Sequence, residues 1–354
     1  MSEQLRNTFL LLIRLGIGHH ADALPPDIGW QDVKAISERQ GLEALVLDGI
    51  EKLPDQQRPP IVFLLEWIGE TLQGYEYRYE LYCRAIAELA AFYNSHGYKM
   101  MVLKGYACSL NWTMPSHRPC GDIDIWLFGK QKEADATITK EKGIKIDKSH
   151  HHHTVFNWDD FIVENHYDFV NVHAHRSSAE LEEVFKELGK DDTHSVAVNG
   201  EKVYLPIPNL HALFLIKHMV SHFAAAEINL RQVLDWAFFV EKHTKEIDWK
   251  WLDCMLDKYS MKDYVNCING ICVEDLGFDA GIFQEVQFLP ALKDRILMDI
   301  LNPEYTSTEP EGLLHRMIYK YKRWQGNAWK QRLCYKESRW EYFWSGIWAK
   351  MLKL

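Results

Sequence analysis

Two aspartates one residue apart, Asp122 and Asp124, lie in an apolar segment whose pattern predicts a buried β-strand. Strand side chains alternate between faces, so both carboxylates project to one side while Ile123 and Ile125 project to the other. Unpaired carboxylates this close repel each other, and one holds its proton unless a cation lies between them. The pair therefore predicts a divalent metal site.

Residues suited to phosphate binding precede this pair. Lys104 and Gly105 end an apolar segment, and Arg118 comes shortly before the aspartates. Lysine offers a point charge, arginine a bidentate fork, and glycine an amide that no Cβ obstructs. The alternatives are an exposed lysine at a strand end and a loop arginine paired with a surface acid.

The combined motifs resemble the uncharacterised nucleotidyltransferase family, within the polymerase-beta-like nucleotidyltransferase superfamily. The resemblance extends to a downstream helix with Arg and Asp, "INLRQVLDWAFF", and covers roughly residues 25 to 255. The matching motifs are Leu103-Lys104-Gly105, Arg118, Gly121-Asp122-Ile123-Asp124 and Glu164-Asn165-His166-Tyr167.

The resemblance implies transfer of a nucleoside monophosphate from a nucleoside triphosphate to an acceptor, which is a small molecule, an RNA or a protein. It implies two Mg²⁺ ions held by Asp122, Asp124 and Glu164. The implied nucleotide-binding residues are Lys104, Gly105, Arg118, Gly121 and Arg231. A catalytically inactive regulator or interaction protein with the same fold is the alternative. Tyr106 follows Gly105 where many superfamily members have serine, and Ser109 is the candidate replacement.

The third acid of the site has two candidates. Glu164, His166 and Asp168 all have even numbers on one predicted strand and are expected to share a face. Only one of the two acids can join a cluster a few ångströms wide, because about 13 Å of extended strand separates them. Glu164 fits the family position better.

The predicted fold class is α+β, with a small mixed sheet flanked by helical regions. Helical periodicity predicts a helical N-terminal region over 1–96, and alternating segments predict the nucleotidyltransferase core over 97–207. Helical patterns return over 208–354. Asn199-Gly200 predicts a hairpin turn, and Gly143 predicts the end of a helix.

Bulk composition predicts a soluble cytoplasmic protein. The 354 residues carry a net charge of -10, which argues against non-specific nucleic-acid binding over the whole surface. The N-terminal apolar run is too short for a signal peptide, and no later run predicts a stable membrane insertion. The seven cysteines form no CxxC pair and are expected to be reduced.

Several further patterns have both an ordinary and a functional interpretation. In the run His150 to His153, strand alternation would split the rings between two faces, which disfavours a metal site and leaves a role in a substrate pocket. His218 and His222 have helical spacing compatible with zinc, but packing or phosphate contact is favoured. Arg231 and Asp235 have the spacing of an intrahelical ion pair, with triphosphate binding by Arg231 as the alternative.

The C-terminal residues 315–354 contain ten Lys and Arg against two Glu. Their tryptophans predict helix packing, with nucleic-acid or membrane contact as the alternative. These tryptophans are Trp324, Trp329, Trp340, Trp344 and Trp348.

Overall fold

The computed structural model describes residues 1–21, 24–173, 175–284, 287 and 289–338. Among these residues, helices precede and follow one mixed sheet. The helices before the sheet are α1 (Glu3–Gly16), α2 (Trp30–Gln40), α3 (Glu43–Glu51), α4 (Ile61–Thr71) and α5 (Arg78–Ser95). Those within and after it are α6 (Tyr106–Ser109), α7 (Gln131–Lys142), α8 (Arg176–Leu188), α9 (Pro208–Ala225), α10 (Leu230–His243), α11 (Trp249–Lys258), α12 (Lys262–Gly270), α13 (Pro290–Leu301), α14 (Leu313–Gly326) and α15 (Ala328–Cys334).

The sheet of the described residues has six strands in the order β3-β4-β2-β1-β6-β5. In it β2 pairs parallel with β4 and β1 pairs parallel with β6, while the other neighbours are antiparallel. The strands are β1 (Met101–Val102), β2 (Ile123–Trp126), β3 (His153–Trp158), β4 (Phe161–His166), β5 (Ser195–Val198) and β6 (Glu201–Tyr204). The α+β fold class predicted from the sequence is confirmed.

The two faces of the sheet bury different hydrophobic clusters. Ile123 and Ile125 of β2 pack with α5 and α7 on one face. Trp126 belongs to the larger cluster on the other face, with α9, α10 and helices from both ends of the chain. Because strand side chains alternate, Asp124 shares the face of Trp126. The carboxylate thus faces the layer formed by α9 and α10.

Local signals placed several boundaries correctly. The hairpin between β5 and β6 turns on Asn199 and Gly200, both with positive φ, and α7 ends at Gly143 with φ of 68°. Within the predicted helical N-terminal region, α4 and α5 are joined by a π-helical segment, Leu72–Tyr77. The division at residues 96 and 207 stays a prediction, and helices from both ends share one hydrophobic cluster.

The C-terminal helices differ in burial. In α15, Lys330 and Cys334 are buried, and the ring of Trp329 lies under the Arg295 guanidinium at 3.9 Å. Trp329 therefore packs, as helix packing predicts. By contrast, α14 exposes Leu313, Leu314, Met317, Ile318 and Tyr321. Trp340, Trp344 and Trp348 lie outside the described residues.

All seven cysteines are free thiols, in agreement with the sequence. Across the described ranges, no helix is long and apolar enough to cross a membrane.

Candidate active site

The register of three strands brings the candidate acids and two histidines together. Parallel pairing of β2 with β4 places Asp124 directly beside Glu164. Antiparallel pairing of β3 with β4 places His153 opposite His166. Since His166 is two residues from Glu164, all four side chains project from one face. One ligand atom from each of Asp124, Glu164 and His166 lies within 4.8 Å of the others.

Asp124 is the electrostatic centre of this cluster and is only 2% exposed. Its Oδ1 lies 2.9 Å from Lys104 Nζ and 3.2 Å from His166 Nε2. Burial alone would raise the pKa of the carboxyl, but the Lys104 charge and the His166 hydrogen bond hold it well below its usual range. A permanently ionised carboxylate follows from this arrangement.

Asp122 precedes β2 and is exposed. It lines the same cavity as Asp124 but lies outside the closest group with Glu164 and His166. Restricted access to water and the negative charges of Glu164 and Asp124 raise the pKa of Asp122. Asp122 thus shows the repulsion between neighbouring carboxylates that the sequence predicts. Lys104 pairs with Asp124 rather than with Asp122.

His166 is anchored through the backbone of Asp168. Its Nδ1 lies 3.2 Å from the Asp168 carbonyl oxygen, and its Nε2 lies 3.6 Å from Glu164 Oε2. The expectation that Asp168 shares the strand face is wrong, because β4 ends at His166 and the Asp168 carboxylate pairs with Lys186 at 2.5 Å. The structure therefore brings Glu164, and not Asp168, to Asp124.

Arg118 is committed to a buried ion pair. Its Nε and Nη2 donate to Asp235 at 2.7 and 2.9 Å, and Trp112 Nε1 also donates to this carboxylate at 2.9 Å. The intrahelical pair between Arg231 and Asp235 expected from their spacing is therefore replaced by a pair between α10 and the loop before β2. The alternative prediction, in which Arg118 pairs with a surface acid, is correct about the pairing. The acid, however, is the buried Asp235.

Arg231 lines the cavity with Lys104 and Asp124. Its Nε has no hydrogen-bond partner within the described parts of the chain. Burial and the nearby positive charge of Arg118 lower the pKa of Arg231. A half-buried guanidinium of this kind is well suited to an anionic ligand.

The two candidate glycines differ in their surroundings. At Gly105, with φ of 57°, an added Cβ would lie 2.4 Å from the Tyr82 hydroxyl, which donates to the Asp122 carbonyl at 2.9 Å. Glycine is thus required there by packing alone. At Gly121 an added Cβ would meet no described atom within 4 Å. Ser109 is buried and donates to the Tyr106 carbonyl at 2.7 Å, so it does not supply a hydroxyl to this cavity.

Two cavities meet at His218. The first, of about 150 Å³, contains Lys104, Asp122, Asp124 and Arg231. The second, of about 220 Å³, contains His152, His222 and the buried Lys217, whose pKa burial lowers to about 8. The rings of His218 and His222 lie 4.4 Å apart and both line the second cavity.

Comparison with known proteins identifies the family. Residues 26–275 match the model of the uncharacterised nucleotidyltransferase family. The chain belongs to this family. No curated protein matches it. A solved nucleotidyltransferase-like antigenic protein from Paracoccidioides brasiliensis shares 14% identity, over 45% of this chain and 75% of its own, with a TM-score of 0.33.

The donor set of this nucleotidyltransferase-family protein fits a divalent cation. Magnesium prefers oxygen ligands, commonly one or two carboxylates together with substrate phosphates. Asp124 and Glu164 lie side by side, Asp122 lines the same cavity, and Lys104 already holds a positive charge at Asp124 Oδ1. These three acids are the carboxylates that a divalent cation in this cavity would meet.

Sequence reasoning missed the pairing of His153 with the acids. Splitting the histidine run between two strand faces assumed that the strand covers the whole run, but β3 begins at His153. The rings of His152 and His153 lie 4.4 Å apart, and both adjoin His166. Lys217 and Tyr82 were also missed, because their contacts join residues far apart in the sequence.

Proposed function

We propose that this protein transfers a nucleoside monophosphate from a nucleoside triphosphate to an acceptor, using Mg²⁺ held by Asp122, Asp124 and Glu164. The supporting observation is the lateral pairing of Asp124 with Glu164 on parallel strands, in a group that also contains Lys104. Nucleotidyl transfer depends on positioning and charge stabilisation, which adjacent carboxylates, bound cations and basic side chains provide.

The bound Mg²⁺ ions would neutralise charge on the phosphates during transfer. Lys104 and Arg231 bind phosphate oxygens, the first as a point charge and the second as a fork. Gly121 leaves open space for the donor in the cavity wall. Arg118 holds α10 and the loop before β2 in place through Asp235, and so positions Arg231.

The acceptor binds in the second cavity, beyond His218. Its hydroxyl or phosphate attacks the α-phosphorus of the nucleotide, a bond forms to the acceptor oxygen, and pyrophosphate leaves. When the acceptor is a hydroxyl, Glu164 receives its proton as general base. Lys217 supplies the positive charge in the lining of this cavity and favours an acceptor that carries a negative charge.

The experiment combines nucleotide binding with product detection. Thermal unfolding of the full chain is measured with each nucleoside triphosphate, with and without Mg²⁺. Pyrophosphate release is then followed by mass spectrometry over a pool of candidate acceptors. We expect one nucleotide to stabilise the wild-type protein in the presence of Mg²⁺, and Asp122→Asn and Asp124→Asn to lose this effect.

Unchanged Mg²⁺-dependent stabilisation in both variants would contradict the carboxylate site. Nucleotide binding without pyrophosphate release over the whole pool would favour the inactive regulator instead. Asp124 lies beside Glu164 and pairs with Lys104. We favour catalysis over the inactive alternative because a protein without catalytic activity does not require these three charged residues together.

A further inference from the structure

Three imidazoles meet beside the carboxylates. One ring nitrogen each from His152, His153 and His166 lies within 4.8 Å of the others. His153 and His166 are directly opposite each other on β3 and β4, and His152 immediately precedes β3. The group is therefore held by strand pairing at two of its three positions.

The polar atoms of this group are incompletely satisfied. His153 is 6% exposed, and within the described ranges neither of its ring nitrogens has a hydrogen-bond partner. Nδ1 of His152 is likewise buried without such a partner in that part of the chain. Buried polar atoms in native proteins are nearly always paired, so three orphan nitrogens in one place indicate a ligand.

Glu164 lies beside two of the three rings. Its Oε1 lies 3.8 Å from His153 Nε2, and its Oε2 lies 3.6 Å from His166 Nε2. Ligand atoms bound tetrahedrally at zinc distances lie about 3.4 Å apart. The three ring nitrogens lie within 4.8 Å of one another, so binding an ion requires shifts of up to about 1.4 Å. The hydrogen bond between His166 Nδ1 and the Asp168 carbonyl orients the ring so that Nε2 faces the group.

We propose that His152, His153 and His166 bind a divalent transition-metal ion of the zinc and cobalt class through their ring nitrogens. Imidazole nitrogen suits these ions, whereas Mg²⁺ selects oxygen ligands. Binding displaces the proton that His166 Nε2 shares with Asp124, and that proton leaves to solvent. The three ligands are distinct from the acids assigned to Mg²⁺.

The ion would fix His166, whose ring lies beside Asp124 and Glu164. This role goes beyond nucleotidyl transfer and does not depend on it, since metal binding is measurable without a nucleotide or an acceptor. The His run also offers a matched control, because His150 is exposed and His151 is outside the group, whereas His152 and His153 belong to it.

The test uses Co²⁺ and Zn²⁺ as probes on the full chain. Co²⁺ is titrated by visible absorption, and Zn²⁺ affinity is measured by competition with a chelator. We expect one equivalent of Co²⁺ to give an absorption spectrum typical of nitrogen ligands. Millimolar Mg²⁺ should not displace the bound Co²⁺. The double variant His152→Gln/His153→Gln should lose at least about 100-fold in Zn²⁺ affinity, while His150→Gln/His151→Gln and Asp122→Asn should retain it.

Three outcomes would overturn the proposal. An equal loss of Zn²⁺ affinity in both double variants would assign the ion to the histidine run as a whole. Displacement of Co²⁺ by Mg²⁺ would assign the ion to the carboxylates. Retained affinity in His152→Gln/His153→Gln would place it elsewhere. The Mg²⁺ competition needs no variant, so the proposal stays testable if the double variant does not fold. Loss of pyrophosphate release in Asp122→Asn with Zn²⁺ binding intact separates this site from the proposed activity.

Discussion

At the scale of single residues, the three acids of the site differ in burial and in their charged neighbours. Asp124 is buried between Lys104 and His166, Glu164 lies beside it on the next strand, and Asp122 is exposed at the cavity mouth. These differences assign different roles to chemically similar groups. Asp124 is the fixed anionic centre, whereas Glu164 is the acid to which the proposed function assigns the proton of the acceptor.

Replacing Glu164 tests this division of roles. Glu164→Gln should retain Mg²⁺-dependent nucleotide binding, because Asp122 and Asp124 remain, and should lose transfer by about 10²-fold or more as the general base is removed. Pyrophosphate release and nucleotide binding are measured on the same preparation. Asp168→Asn is the control and should be milder, since the Asp168 carboxylate pairs with Lys186 outside the group. A larger loss in Asp168→Asn would reverse the assignment.

At the scale of elements, α10 and the loop before β2 each contribute one arginine to the site. The two arginines differ in their hydrogen-bond partners. Arg118 is bound twice by Asp235, while Arg231 Nε has no hydrogen-bond partner among the described residues. A paired buried arginine supports the fold, and an unpaired one in a cavity is available to a ligand.

Matched substitutions of the two arginines should therefore give opposite results. Arg118→Gln leaves Asp235 buried and uncompensated and should cost about 3 to 5 kcal/mol of unfolding free energy. Arg231→Gln should leave stability unchanged or higher and weaken triphosphate binding at least about tenfold, the scale of one hydrogen bond to a charged group. Urea unfolding and nucleotide titration measure the two effects. If Arg118→Gln is as stable as the wild type but binds the triphosphate more weakly, Arg118 binds the ligand and the assignment of the two arginines is wrong.

The C-terminal helix α15 is held by a similar buried pair. Lys330 is 1% exposed, and its Nζ lies 2.5 Å from Asp299 and 2.9 Å from the Ala226 carbonyl. Lys330→Met should therefore destabilise the protein by about 3 kcal/mol or more, because Asp299 loses its counter-charge. In the control, Lys320→Met removes an exposed pair with Glu309 and should cost about 1 kcal/mol or less. Equal midpoints of thermal unfolding for the two variants would show that the Lys330–Asp299 pair adds no stability.

At the scale of the whole molecule, local patterns predicted the elements, and distant contacts set the site. Alternation and turn residues identified β2, the β5–β6 hairpin and the end of α7, because these depend on neighbours in sequence. The tie between Arg118 and Asp235 joins residues 117 positions apart, and nothing in the local pattern of α10 distinguishes it from an intrahelical pair. The histidine run was misjudged for the same reason, because only the strand boundary at His153 decides which rings meet.

Buried neutral histidines outside the site make the stability of the whole molecule depend on pH. His211 is 5% exposed, and burial together with the charge of His243 lowers its pKa to about 3. Since its unfolded pKa is about 6.5, only the unfolded state takes up a proton between these values. Stability is therefore complete above about pH 6.5 and falls as the pH drops towards 3. Histidines with raised pKa, such as His117, are protonated in both states below pH 6.5 and do not oppose this trend there.

Replacing His211 should flatten this part of the pH profile. Between pH 6.5 and pH 5 its share of the lost unfolding free energy is about 2 kcal/mol, from 1.36 kcal/mol per pH unit. His211→Leu should lose about that much less stability than the wild type over this interval, and urea unfolding at both pH values measures the difference. His194→Leu is the control, because His194 is exposed and its replacement should leave the pH slope unchanged. Equal slopes in wild type and His211→Leu would show that His211 is protonated in the folded protein, and its burial would then have to be relieved by a local opening around α9.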